Sequence, residues 1–149
     1  MWRNDRKSFG MVAIAFHWAV AALFVGQLPL GYATQATVDR PALQFELYQW
    51  HKSIGFLLLA VSVFRIAWLL LGSRPDLPGE LGPLERKAAR GAHVALYAAT
   101  MLVPLTGWAI ASASPLRIPS YVFNLVVVPP LPLGVSDAAE AYWSSAHAI

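Results

Sequence analysis

Four histidines, His17, His51, His93 and His147, stand in a chain of 149 residues that has no cysteine and three methionines. Imidazole is therefore the good soft-metal or haem ligand that this sequence offers. Without cysteine there is no disulfide framework, no thiolate zinc site, no Fe–S cluster and no thiol nucleophile. Each histidine falls in, or at the mouth of, a long apolar run, where an ionisable group is costly and rarely present without a reason. One such imidazole alone reads as an interfacial or helix-bonding side chain. Four of four point to ligand chemistry.

The elements that must position them follow from composition. The chain is 57% hydrophobic and 13% charged, against about 45–50% and about 25% for a soluble domain. So little polar surface excludes a soluble enzyme, and the long apolar runs argue against disorder. The length fits one domain, residues 1–149. The formal charge of +3 does not imply a nucleic-acid partner, because the basic residues flank apolar runs and form no stripe. A membrane protein remains, with lipid as its first partner.

Ser8 to Val38 are 31 residues without Asp, Glu, Lys or Arg. Within them Met11–Ala33 is long enough for the about 20 residues that cross a bilayer, and too long for a signal peptide. A second span is predicted near Tyr48–Leu71, broken by Lys52 at its start and Arg65 deep inside. A third lies near Gly91–Ala113, with Pro104 as a possible kink. Residues 118–136 are uncharged but interrupted by Pro119, Pro129, Pro130 and Pro132, and read as an interfacial lid. A fourth span begins near residues 140–149, where AYWSSAHAI rises only about 14 Å. The expected architecture is an all-α, up-down four-helix transmembrane bundle with its fourth helix truncated.

Seven basic residues (Arg3, Arg6, Lys7, Arg74, Arg86, Lys87, Arg90) fall on one side of these spans and three (Arg40, Lys52, Arg117) on the other. The positive-inside rule then places the N-terminus in the cytoplasm of a multi-pass inner-membrane protein. His51 and His147 both lie near outer span ends and can face each other at one depth. His17 lies about 9 Å into the first span from the inner side. Two imidazoles on facing helices suit axial ligation of a b-type haem held inside the bundle. A zinc or copper ion asks for a third ligand at that level, and none is evident.

Other residues fit the same picture, each with a plainer alternative. Gly55, one turn after His51, lets a flat macrocycle approach the backbone, or simply packs helices. Arg65 is 14 residues after His51, which is about 21 Å along the helix and within about 40° of the same face. It is placed to pair with propionates of a second, inner haem, or to snorkel to the interface. His93 can ligate, bond a propionate or a quinone head-group, or be an interface residue.

FHW in span one, WHKSIGFLLLAVSVFRIAWLL in span two and AHVALYAATMLVPLTGWAIASA in span three closely resemble the bacterial cytochrome b561 family. The resemblance extends to cytochrome b subunits of nickel hydrogenases and formate dehydrogenases. It covers essentially the whole chain, and its most specific part is His51, Gly55 and Arg65 at their spacing. It implies a four-helix inner-membrane protein with two b haems that exchanges electrons with quinone. By resemblance His51 and His147 ligate the outer haem, and His17 matches the span-one ligand of the inner haem. The inner haem's other family ligand lies later in span four, beyond Ile149, so one well-ligated haem is expected here. His93 matches a span-three histidine common in the family.

The leading expectation is a membrane electron carrier between an outer donor and the quinone pool. Some family members work alone, oxidising superoxide and reducing ubiquinone; others are the haem-binding membrane subunit of a larger oxidoreductase. The rival is a cofactor-free proton relay or transporter fragment, which would want paired carboxylates within the spans. The sequence has none there.

Overall fold

The computed structural model describes residues 2, 4, 5, 8–72 and 82–148. Four helices follow in order: α1 Met11–Ala36, α2 Pro41–Leu71, α3 Pro83–Ala113 and α4 Asp137–His147. Between α3 and α4 lies a small hairpin of β1 Ser120–Val122 and β2 Val126–Val128. The first three helices are each long and apolar enough to cross a membrane. Each contains its expected span, and α2 and α3 run further, by up to two turns, at their N-terminal ends. Of the basic residues used for orientation, Arg3, Arg6, Lys7 and Arg74 lie outside the described residues, as does Ile149.

Local chemistry sets the helix starts. Pro41 and Pro83 occupy first-turn positions, where a missing N–H costs nothing. The Gly82 N–H donates to the Glu85 carboxylate at 2.9 Å, closing the start of α3. Ser136 caps α4 by accepting from the Ala139 N–H at 3.1 Å, and Asp137 and Glu140 favour the positive end of the helix dipole. Both internal prolines, Pro29 in α1 and Pro104 in α3, are carried within continuous helices.

The packing is that of a protein in lipid. Most buried positions carry small or hydroxylated side chains, such as Ala13, Ser62, Ala109 and Ser112, with Val20 and Leu58 the larger ones, while Trp18, Leu28, Phe64 and Leu96 are exposed. Helices without a hydrophobic drive between them associate through close backbone approach at small residues. In sequence order, α1 packs on α2, α2 on α3 and α3 on α4, and β1 lies against α2. The chain is thus an all-α multi-pass membrane protein apart from the hairpin. The Ser136 N–H donates to the Ala113 carbonyl at 3.1 Å, which folds α4 back along α3.

The hairpin stands where the sequence reads as an interfacial lid between spans three and four. Ser120 pairs with Val128, Tyr121 with Val127 and Val122 with Val126. Its turn holds Phe123 and Asn124 at φ 49° and 57°, a left-handed pair that matches strand twist. Asparagine accepts this readily, whereas a phenylalanine there costs about 1–2 kcal/mol. An edge contact with Trp50, ring centres 5.9 Å apart, offsets that cost.

Two buried serines pin the lid. The single Ser53 O–H is shared between the Gln49 and Tyr121 carbonyls, 2.8 and 3.0 Å from Oγ, and Oγ accepts the Phe123 N–H at 3.0 Å. Ser112 Oγ accepts the Leu131 N–H at 2.9 Å. Ser53→Ala leaves the Phe123 N–H without its partner, at a cost of about 1–3 kcal/mol. The expected outcome is faster protease nicking at the hairpin with unchanged helix content by circular dichroism; equal nicking in both proteins would show that Ser53 does not hold it.

Candidate haem site

Every histidine lines one of two cavities, stacked along the helices. The hairpin-end cavity has a volume of about 530 Å³ and is walled by all four helices and Ser120; His51, Lys52, Gly55, Gly107 and His147 line it. The N-terminal-end cavity, about 550 Å³, is lined by α1, α2 and α3 and includes His17, Arg65 and His93. Phe24 touches both and stands between them. Each cavity is of the size that takes a ligand of a few hundred Å³.

His51 and His147 face each other with ring centres 6.1 Å apart and planes at 85°. Two imidazoles sharing one iron need ring centres about 6 Å apart, since each metal–nitrogen bond is about 2 Å. The hydrogen bonds of His147 fix its tautomer. Its Nδ1 lies 3.0 Å from the Val103 carbonyl and 3.0 Å from Thr106 Oγ. A carbonyl only accepts, and Thr106 O–H already donates to the same carbonyl at 2.8 Å, so Nδ1 carries the proton. The Nε2 lone pair is then free to bind a metal. His51 Nδ1 is buried with no hydrogen-bond partner, so no hydrogen bond occupies that nitrogen.

Glycines make room for both rings. A Cβ on Gly31 would stand 3.2 Å from His51 Cε1, and one on Gly107 would stand 3.1 Å from His147 Cε1. Gly55 lines the cavity, but its missing side chain faces Gln27, whose amide donates to the His51 carbonyl at 2.8 Å. Gly31, Gly107, Gln27 and Thr106 were not singled out from the sequence. A signal was present: Gly31 is 14 residues after His17 and Gly107 is 14 after His93, the same interval as His51 to Arg65. Each long helix thus offers one position to each cavity, about 21 Å apart.

The N-terminal-end cavity is arranged differently. Arg65 Nη2 donates to His17 Nδ1 at 3.0 Å, and its guanidinium lies 5.1 Å from the centre of the Tyr97 ring. Arg65 therefore turns into the cavity. An Nδ1 that accepts leaves the proton on Nε2, so His17 is not in the tautomer that His147 has. His93 lines the same cavity from α3. Among the described residues, no group of three or more His, Cys, Asp or Glu could hold a bare metal ion.

The model of a family described as prokaryotic cytochrome b561 matches residues 8–149. The chain belongs to that family. It is also similar to cytochrome b561 homolog 2 of Escherichia coli (strain K12), with 30% identity over 110 residues, 74% of this chain and 58% of that protein. The chain thus spans little more than half the length of this relative. Membership of the cytochrome b561 family implies haem b, and the hairpin-end residues fit it. They offer a facing imidazole pair at axial spacing, a free Nε2 on His147 and glycine clearance behind each ring.

Proposed function

We propose that this protein is a membrane electron carrier of the bacterial inner membrane that exchanges electrons between a donor and the quinone pool. The observation that carries the reading is the His51–His147 pair, 6.1 Å apart in a cavity walled by all four helices. His51 and His147 would hold a haem there, and it would supply one-electron redox chemistry. Val103 and Thr106 hold the His147 ring in its ligating tautomer and orientation. The pinned hairpin borders the cavity at Ser120. With the N-terminus in the cytoplasm, as the lysine and arginine distribution favours, this cavity lies toward the outer face.

The second cavity is proposed to take the family's inner haem, with His17 as a ligand and Arg65 as the cation for a propionate. For His17 to ligate through Nε2, Arg65 must give up its bond to Nδ1, which frees the guanidinium for a carboxylate. His93 faces the same cavity and is placed to bond a propionate or a quinone head-group. The whole chain, 1–149, acts as one unit in this reading, alone or as the membrane subunit of a larger oxidoreductase.

A stopped-flow experiment tests the quinone assignment. The haem-loaded protein in liposomes is mixed with a water-soluble ubiquinol, and the α-band is followed. Reduction within seconds is expected. A haem that dithionite reduces and ubiquinol or menaquinol does not would remove the quinone pool as its partner.

A further inference from the structure

Among the described residues neither cavity is lined by a carboxylate, and each is lined by one basic side chain, Arg65 at one end and Lys52 at the other. Arg65 has the His17 ring and the Tyr97 face as partners. Lys52 has less. Its Nζ donates to the Pro119 carbonyl at 3.3 Å, and the ion pair found among the described residues is Asp39 with Arg40, at 3.9 Å. A half-buried ammonium in an apolar wall, with no counter-charge among the described residues, is costly, and the cost falls when an anion meets it. Lys52 follows His51 on α2, so its stem leaves the helix at the level of the proposed axial ligand, about 100° around.

A b-type haem carries two propionate carboxylates, and they are the polar edge of an otherwise apolar molecule. We propose that Lys52 is the propionate-binding cation of the hairpin-end site. One N–H of its ammonium meets a carboxylate while another keeps the Pro119 carbonyl, which a three-donor group allows. Lys52 thereby ties the cofactor to the start of the lid. The proposal rests on the reading that His51 and His147 hold a haem in this cavity.

Haem retention tests it. The detergent-solubilised protein is loaded with haem b or with haem b dimethyl ester, which lacks ionised propionates. Transfer to excess apomyoglobin then reads the rate of haem loss. Lys52→Gln keeps a donor for Pro119 and removes the charge. It is expected to speed the loss of haem b about tenfold, the scale of one hydrogen bond to a charged group. The same substitution is expected to leave loss of the dimethyl ester within about twofold. Lys52→Arg is expected to retain haem b as the unaltered protein does. Equal acceleration for both haems would mean that Lys52 acts through the lid or the fold, and would overturn the proposal. So would an unchanged rate for haem b. A protein that binds haem without a low-spin bis-imidazole spectrum fails at the earlier step, and absorption separates that failure from loss of the Lys52 effect.

Discussion

Replacing His147 with alanine is expected to abolish the low-spin bis-imidazole spectrum of the hairpin-end haem, and His51→Ala to do the same. The two rings face each other across 6.1 Å, and no third histidine lines that cavity. A haem left with one axial imidazole becomes high-spin or is lost. The fold is expected to survive both changes. His147 sits in the last turn of α4 and is only half-buried, and neither ring belongs to the buried core. Membrane insertion and helix content should therefore match those of the unaltered protein. His93→Ala is the control, because His93 lines the other cavity. Spectra recorded on the three variants check the assignment, and an unchanged spectrum in either His51→Ala or His147→Ala would refute it.

Gly107→Val is expected to weaken haem binding at the same site by about 10–100-fold, although residue 107 contributes no ligand. That is the usual scale when the support of a metal-binding histidine is removed. A Cβ at residue 107 would stand 3.1 Å from Cε1 and 3.5 Å from Nδ1 of His147, and valine adds two methyls beyond it. The ring must swing away, and the bond from Nδ1 to the Val103 carbonyl goes with it. The glycine is needed for close approach, since its helical backbone suits any residue. Gly26→Val is the matched control, because a Cβ there meets nothing within 4 Å. Haem titration of both variants should separate them; equal affinities would remove the steric argument.

Much of this site was legible because the background is so plain. In spans made of Leu, Ala, Val and Phe, a histidine or arginine stands out, and helix geometry converts its position into depth and face. That is how His51 could be matched with His147 and placed at a different depth from Arg65. The glycines were harder to read, since glycine carries no hydropathy signal and packs helices for many reasons. Only the repeated interval of 14 residues tied Gly31 and Gly107 to the histidine faces.

The lid was less legible still. Tyr121–Val128 is apolar apart from Asn124, so alternation does not distinguish a strand from an irregular segment. Its shape depends on Ser53 and Ser112, distant residues whose hydroxyls reach across to it. Arg65 illustrates a different limit. Face arithmetic put it on the cavity side, but not its partner: His17 is 48 residues away on α1, and the pairing depends on how α1 and α2 pack.

The most direct measurement is electron paramagnetic resonance of ferric haem bound to the purified 149-residue protein, read with its absorption spectrum. The account predicts a low-spin ferric signal with imidazole on both axial positions, lost together with the sharp reduced α-band when His51 or His147 is replaced. An unaltered protein with no bis-imidazole low-spin signal, or a low-spin signal left undiminished by both replacements, would contradict it.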